Sequence, residues 1–198
     1  MNDSTQGIVK NYIEEIGICI AKTEFDKLEK IIDILIEAKD NHATVYTAGN
    51  GGSAATASHI CNDLLKGCSV CGQNGFKAEC LADSLAVVTC LANDFDYDSI
   101  FTIQLKTKGK RGDVFIAYSG SGNSENIIKA AVLAKKMVLK VIGFTGRDGG
   151  RLVSVCDIAI IAPTDSMEQI EDLHMMYVHT LSDAIQKILS NRYSAFNV

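Results

Sequence analysis

The sequence has little proline, no tryptophan and no excess of basic residues. Pro163 is the only proline, so no proline-rich linker divides the chain, and we expect a single domain over residues 1–198. A run of 18 apolar residues is absent, so no membrane span is predicted. The net charge of −5 argues against a nucleic-acid-binding surface, because such surfaces are strongly basic. We therefore expect neither nucleic acid nor a membrane as a partner.

We also expect neither a secretion signal nor a disulfide framework. Its amino end is polar at Ser4 and Gln6, and its seven cysteines are an odd number. We therefore expect a cytoplasmic protein in which most cysteines act as small apolar residues. Cys68 and Cys71 form a CxxC pair without a second pair to complete a zinc ribbon. A redox or metal role for this pair is the less favoured interpretation.

Hydrophobic periodicity divides the chain into two parts. With 47% hydrophobic and 22% charged residues, the composition is that of a globular protein. The first forty residues predict two amphipathic helices, with apolar side chains at helical spacing from Ile8 to Ile20 and from Leu28 to Ile36. Beyond them, short apolar runs predict strands at 44–48, 85–91, 113–118, 140–145 and 158–161. Helices are predicted at 53–66, 99–106, 125–136 and 166–189.

Strands that alternate with helices, each strand almost wholly apolar, indicate a parallel sheet covered on both faces. The predicted fold class is therefore α/β, a three-layer sandwich preceded by two N-terminal helices. In sheets of this kind ligands bind at the carboxyl ends of the strands, near the point where the strand order switches.

Two glycine-rich loops follow predicted strands at such carboxyl ends. The first is Gly49-Asn50-Gly51-Gly52, and the second is Ser119-Gly120-Ser121-Gly122-Asn123-Ser124. Helix starts offer unpaired N–H groups and a positive dipole end, glycines admit a close backbone approach, and serines add donors. These properties suit a phosphate group. An N-cap serine in an ordinary turn explains the second loop almost as well by itself, but the shared placement of the two loops favours phosphate binding.

Four titratable residues form a second candidate constellation. His59 and Asp63 are four apart on one predicted helix, so they share a face. Glu171 and His179 lie on the last predicted helix, about 80° apart around its axis. Two imidazoles and two carboxylates suit a divalent metal, zinc above all, and they equally suit a general acid and a general base. His174 lies about 140° from His179, so we do not expect both in one site.

Taken together, these segments resemble one known family. Residues 49–55, His59, the loop at 119–124 and the segment 145–150 are similar to the SIS-domain (sugar isomerase) phosphoheptose isomerases, and the similarity runs nearly end to end. That family interconverts sedoheptulose 7-phosphate and D-glycero-D-manno-heptose 7-phosphate. The resemblance implies the SIS fold, an aldose–ketose isomerase that works through an enediol, and a homotetramer with sites between subunits. Residues of about 1–40 would contribute to the oligomer contacts.

The resemblance also implies roles for individual residues. Ser53, Ser119, Ser121 and Ser124 would hold the sugar phosphate, while Asn50 and Asp94 would contact substrate hydroxyls. The full set of implied substrate-binding residues is Asn50, Gly51, Gly52, Ser53, Asp94, Ser119, Gly120, Ser121, Ser124 and Glu171. One zinc ion per site would be held by His59, Asp63, Glu171 and His179. The implied catalytic residues are Asp63, Glu171 and His179.

The chain departs from the family pattern at several of these positions. Asp63 stands where the family usually has glutamate, and Glu171 where it usually has glutamine. Gly120 replaces a frequent threonine, and an arginine is missing near Lys66. Because Asp63 is one methylene shorter than glutamate, its carboxylate would retreat by roughly 1.5 Å, enough to affect catalysis. Our hypothesis is that the base role is shifted or shared between Asp63 and Glu171.

Two alternatives stay open at this point. A non-catalytic binding protein of the same fold, of the kind that binds the replication initiator, would not need the two histidines and two carboxylates. An isomerase of a related sugar phosphate would keep them. A sugar-phosphate-sensing transcription regulator needs a basic DNA-binding segment, which the N-terminal helices do not supply.

Overall fold

The computed structural model describes residues 4–194, so the ends of the predicted domain, residues 1–3 and 195–198, lie outside the description. The helices are α1 (Thr5–Ala21), α2 (Phe25–Asp40), α3 (Gly52–Asn62), α4 (Leu85–Asp94), α5 (Ile100–Lys108), α6 (Glu125–Lys136) and α7 (Met167–Ser194). The strands are β1 (Thr44–Ala48), β2 (Lys77–Cys80), β3 (Val114–Ser119), β4 (Lys140–Gly146) and β5 (Ile158–Ala162).

The five strands form one parallel sheet in the order β2-β1-β3-β4-β5. Tyr46 of β1 pairs with Phe115 of β3, so these two strands are neighbours at the centre of the sheet. The chain moves outward in one direction from β1 to β2 and in the other from β3 to β5. The switch point of the sheet therefore lies between the carboxyl ends of β1 and β3, where the two glycine-rich loops begin.

Strand β3 shows why both faces of the sheet are covered. Its side chains alternate between two apolar cores: Ile116 packs in one with residues of α2, α3 and α7, and Phe115 in the other with residues of α5 and α6. Every residue of β3 is buried. An apolar run of this kind is what a strand buried on both faces requires, and the predicted α/β three-layer sandwich is confirmed.

The predicted strand at 85–91 is wrong, because this segment is helix α4. Ser84 caps the helix, its hydroxyl accepting from the N–H of Val87 at 3.4 Å. The strand that follows β1 along the chain is instead β2, at Lys77–Cys80, on the edge of the sheet. An edge strand of four residues that includes Lys77 and Glu79 carries no apolar run, so hydrophobicity alone pointed to the next segment.

Two predicted helix boundaries also differ from the structure. The helix predicted at 53–66 is α-helical only over Gly52–Asn62, and the turn Asp63–Gly67 is a π-helix. The last helix reaches Ser194 rather than 189. Single π-helical turns inside helices occur often at functional sites, and this one begins at a residue of the predicted constellation.

The two N-terminal helices are present as predicted. Helix α1 buries only Cys19 and leaves apolar side chains such as Ile8 and Ile13 exposed, whereas α2 packs onto the sheet through Leu28, Ile31 and other residues. Within residues 4–194, no helix combines the length and the apolar character needed to cross a membrane.

Candidate active site

A small cavity of about 120 Å³, called the serine cavity below, lies at the switch point of the sheet. The residues that line it are Asn50, Ser53, Tyr118, Ser119, Gly120, Ser121, Ser124, Met167 and Glu171. Both glycine-rich loops contribute to this lining, together with the start of α7. The structure therefore brings Ser53, which directly follows the first loop, together with the three serines of the second loop, at the carboxyl ends of β1 and β3.

The second loop, residues 119–124, is called the serine loop, and it holds its hydroxyls in a fixed arrangement. Ser124 is the N-cap residue of α6, but its side chain makes no capping hydrogen bond and instead lies 3.1 Å from the hydroxyl of Ser119. Ser121 accepts from the N–H of Asn123 at 3.2 Å. Because Ser124 does not cap its helix, the ordinary explanation of this loop as an N-capped turn does not describe it.

The second loop is supported by the turn that follows β4. The N–H of Gly146 donates to the carbonyl of Gly120 at 3.0 Å, and that of Leu152 to Gly122 at 2.9 Å. Arg151 pairs with Glu125 at 2.8 Å and also donates to Asn123. Arg151 therefore holds the loop at 119–124 against the start of α6.

The first loop is joined through a pair of amides to the start of α6, the helix that follows the second loop. Asn50 and Asn126 donate to each other's side-chain oxygens at 2.9 Å in both directions, and Tyr97 donates to Asn50 at 2.8 Å. A Cβ on Gly49 would lie 2.3 Å from the carbonyl oxygen of Ser53, so only glycine permits this close turn into α3. Sequence reasoning missed Asn126 and Tyr97 because neither belongs to a recognisable motif.

A second cluster lies further along α3. The Nε2 atoms of His59 and His179 are 3.0 Å apart, and Nε2 of His59 is 3.6 Å from Oδ2 of Asp63. The candidate ligand atoms of these three residues all lie within 4.8 Å of one another. Two imidazole nitrogens that face each other need a shared proton or a shared cation between their lone pairs.

The donor set of this cluster fits a zinc ion. Catalytic zinc sites use three protein ligands drawn from histidine and carboxylate, with a fourth position left for water or substrate. Two ligands of a tetrahedral zinc ion are roughly 3.3 Å apart, from zinc–nitrogen distances of about 2.0 Å. The 3.0 Å between His59 and His179 is close to that value.

Glu171 does not join this cluster in the structure. Its carboxylate lies over Gly52, where an added Cβ would be 2.3 Å from Oε2, and it lines the serine cavity. Eight residues along α7 separate Glu171 from His179, a rise of roughly 12 Å. The structure therefore brings three of the four predicted metal residues together and places Glu171 at the cavity, and Glu171 as a metal ligand stays a prediction.

Comparison with known proteins relates this chain to one family. The model of the SIS domain family matches residues 10–146. The phosphoheptose isomerase of Helicobacter hepaticus is 38% identical over 159 residues, which covers 80% of this chain and 81% of that protein. The one from Aliarcobacter butzleri is 33% identical over 186 residues, which covers 93% of this chain and 98% of that protein. The chain belongs to the phosphoheptose isomerase family of SIS-domain proteins.

Solved structures of the phosphoheptose isomerase family share the fold over nearly the whole chain. The phosphoheptose isomerase of Neisseria gonorrhoeae superposes with a TM-score of 0.86 at 27% identity, covering 93% of this chain and 100% of that one. The enzyme from Francisella tularensis gives the same TM-score at 26% identity, with the same coverage. The predicted SIS fold and the predicted family are confirmed.

Asp94, a substrate-binding position implied by the phosphoheptose isomerase pattern, lies apart from the cavity. It is exposed at the end of α4, where hydrogen bonds from Asn93 and Cys90 lower the pKa of its carboxyl. It is not among the residues that line the serine cavity within this chain. Its contact with substrate stays a prediction.

His174, one turn after Glu171, is a core residue and does not share a site with His179, whose Nε2 faces His59. Its Nε2 lies 3.0 Å from the carbonyl oxygen of Thr145, and burial lowers the pKa of the imidazole to about 4. The ring packs against Tyr118 and Phe144. A neutral histidine enclosed in this way packs in the core next to Tyr118, which lines the cavity.

The CxxC pair is unlike a redox pair in this family member. Cys68 is buried, and burial raises the pKa of its thiol to about 11. Its sulfur contacts the carbonyl of Ser182, whereas the exposed Cys71 contacts that of Ser190, eight residues further along α7. A raised thiol pKa disfavours the reactive thiolate.

Proposed function

We propose that this chain is an aldose–ketose isomerase that interconverts sedoheptulose 7-phosphate and D-glycero-D-manno-heptose 7-phosphate through an enediol. The two sequence relatives named above carry the name phosphoheptose isomerase. The observation that carries the proposal is that a single helix joins two chemically different half-sites. Helix α3 begins at the serine cavity with Ser53 and reaches His59 roughly 9 Å further along its axis. A heptose 7-phosphate likewise has its phosphate and its reacting carbons at opposite ends.

The serine cavity is the proposed phosphate site. Ser53, Ser119, Ser121 and Ser124 would donate to the phosphate oxygens, with the N-terminal ends of α3 and α6 adding unpaired N–H groups and positive dipole ends. Asn50, held by Asn126, would contact a sugar hydroxyl. The exposed Gly51 and Gly52 and the buried Gly120 would let the phosphate approach the backbone.

The cluster of His59, Asp63 and His179 is the proposed zinc site. When bound there, zinc would act as a Lewis acid on the substrate's carbonyl and hydroxyl oxygens. The donor set of two imidazoles and one carboxylate supports this assignment. His59 and Asp63 would anchor the ion from α3, and His179 would complete the site from α7.

The same neighbourhood holds the groups that we propose for proton transfer. Asp63 and Glu171 are the candidate bases for moving a proton between C1 and C2, and His179 would serve the proton on oxygen or, with the metal, polarise the carbonyl. Glu171 lines the cavity that we assign to phosphate, so its carboxylate would meet the substrate from the phosphate end, whereas that of Asp63 would meet it from the zinc cluster. The hypothesis of a shared base therefore becomes one of two carboxylates acting from two sides of the sugar.

We propose a homotetramer whose contacts include the apolar faces of α1 and α4. Helix α4 is rich in apolar residues yet buries none of them, with Leu85 76% exposed, and α1 leaves Ile13 65% exposed. Exposed apolar surface of this extent marks protein–protein contacts. Asp94 at the end of α4 would reach substrate in a site shared between subunits. A cytoplasmic location fits the seven free cysteines.

The test is an NMR time course with sedoheptulose 7-phosphate, run with and without added zinc. We expect aldose signals to appear, and to appear at least 100-fold more slowly with the His179→Gln variant. His42→Asn changes an exposed histidine far from the cavity and serves as the matched control, with the wild-type rate. No aldose signal with or without zinc would contradict the proposed substrate.

A further inference from the structure

Asp63 occupies an unusual position on the helix that carries the metal cluster. The α-helical part of α3 ends at Asn62, and Asp63 is the first residue of the π-helical turn. Its side chain is short, and only 19% of it is exposed. A short carboxylate at the start of a widened turn needs a partner to hold it toward His59.

Ser182 supplies that partner from the opposite helix. Its hydroxyl donates to Oδ2 of Asp63 at 3.1 Å, the same oxygen that lies 3.6 Å from Nε2 of His59. The only other side-chain hydrogen bond to this carboxylate within residues 4–194 comes from Asn62, at 3.4 Å to Oδ1. Ser182 therefore makes the shorter of the two side-chain hydrogen bonds to the Asp63 carboxylate.

A competing partner for the Ser182 hydroxyl is the helix itself. The carbonyl oxygen of His179 lies 3.2 Å from the same Oγ, and a hydroxyl has one proton to donate. The carboxylate is the stronger acceptor because it is charged. Residues 179 and 182 are one turn apart on α7, so the helix that presents His179 to the cluster also presents the group that holds Asp63.

We propose that Ser182 is a positioning residue for the metal cluster: its hydroxyl holds the carboxylate of Asp63 in place for a divalent ion bound with His59 and His179. The inference rests on the zinc site of the proposed function. Hydrogen bonds to ligating carboxylates orient the ligand, and their loss typically weakens metal binding by about 10- to 100-fold. Aspartate stands here where the family usually has the longer glutamate. By fixing the shorter side chain, Ser182 would keep its carboxylate within reach of the ion.

Metal affinity of the apoprotein tests this inference without requiring isomerase activity. Zinc is titrated in competition with a chromophoric chelator, and the visible spectrum of the cobalt-loaded protein reports the coordination geometry. We expect Ser182→Ala to bind zinc about 10- to 100-fold more weakly and to change the cobalt spectrum. Ser182→Thr keeps the hydroxyl and restores affinity.

Thr180 provides the matched control on the same helix. It is exposed, and its hydroxyl donates to the carbonyl of Met176 at 2.9 Å, so Thr180→Ala removes a helix-bonded hydroxyl two residues from Ser182 without touching Asp63. We expect Thr180→Ala to keep wild-type affinity for zinc. A purely structural role for the Ser182 hydroxyl would alter thermal unfolding and leave zinc affinity alone.

Three outcomes separate this inference from the proposed function. If Ser182→Ala binds zinc as tightly as Thr180→Ala, Ser182 does not position the ligand. Absence of zinc binding by the wild-type protein would overturn the inference as well. If zinc binds and depends on Ser182 while sedoheptulose 7-phosphate is not converted, the inference stands and the proposed substrate fails.

Discussion

The Nε2 atoms of His59 and His179 lie 3.0 Å apart although the residues are 120 positions apart in the chain. The contact exists because α3 and α7 pack against each other on one face of the sheet. Each helix supplies one imidazole, and the π-helical turn after α3 adds the carboxylate of Asp63. The cluster therefore forms only in the folded chain, and what binds it must stabilise the fold.

Zinc should raise the stability of the protein through this cluster. A ligand present at 100 times its dissociation constant stabilises the folded state by about 2.7 kcal/mol. We expect that gain in thermal or chemical unfolding of the wild type, and expect His59→Ala and His179→Ala to lose most of it. Magnesium, which prefers oxygen ligands, is the control and should give no comparable shift. An equal zinc effect in all three proteins would place the ion elsewhere.

His174 should make the protein less stable as the pH falls from 6.5 toward 4. Burial lowers the pKa of its imidazole from 6.5 to about 4, while the hydrogen bond to Thr145 opposes the shift. Below pH 6.5 the unfolded chain binds a proton that the folded chain does not bind, so the free energy of unfolding falls with pH. The loss reaches about 3 kcal/mol at pH 4.

His174→Gln tests this directly because glutamine can still donate to the carbonyl of Thr145. Urea unfolding at several pH values should show a shallower decline in the free energy of unfolding for the variant than for the wild type. Above pH 7 the two slopes should coincide, because neither state of the wild type binds this proton there. Parallel curves down to pH 4 would show that His174 does not titrate as described.

Val138→Gly should stabilise the protein by about 1 kcal/mol. Val138 has a φ of 64° at the end of α6, where its N–H donates to Lys135 and that of Leu139 to Ala134. This is the Schellman arrangement, in which glycine is favoured because a left-handed conformation costs other residues about 1–2 kcal/mol. Val138 is 53% exposed, so little burial is lost.

The comparison for Val138→Gly is His42→Gly, at the equivalent position after α2, with a φ of 55°. Histidine tolerates this conformation better than a β-branched residue does, so the gain there should be smaller. Chemical unfolding of the three proteins gives both differences. A Val138→Gly protein less stable than the wild type would contradict the prediction.

Gly122→Ala should loosen the serine loop and destabilise the protein by at least about 2 kcal/mol. Its φ is +63°, and an added Cβ would lie 2.0 Å from the carbonyl oxygen of Gly149. Gly112→Ala is the matched control, with a φ of +90° and no atom within 4 Å of the added carbon. We expect the larger loss, together with weaker binding of inorganic phosphate, only at Gly122. Equal losses in the free energy of unfolding, measured with urea, would mean that the contact of Gly122 with the turn at Gly149 is unimportant.

Much of the site follows from local sequence. The loops at 49–52 and 119–124 could be assigned to strand ends because the flanking apolar runs of β1 and β3 are plain, and parallel strands end on the same side of a sheet. His59 and Asp63 could be paired because residues four apart on a helix are neighbours. The family could be recognised because the motifs lie in the right order.

The rest depended on how the elements pack. Glu171 and His179 lie on one helix, but which part of α3 each meets is decided by the docking of α7, and this sends Glu171 to the serine cavity and His179 to His59. The same docking brings Ser182 to Asp63. Spacing within one helix determines which side chains share a face, whereas the offset between two packed helices is decided by the core between them. The sequence by itself therefore determined the loops and the histidine–aspartate pair, and the tertiary structure alone decided which residues of α7 complete each half of the site.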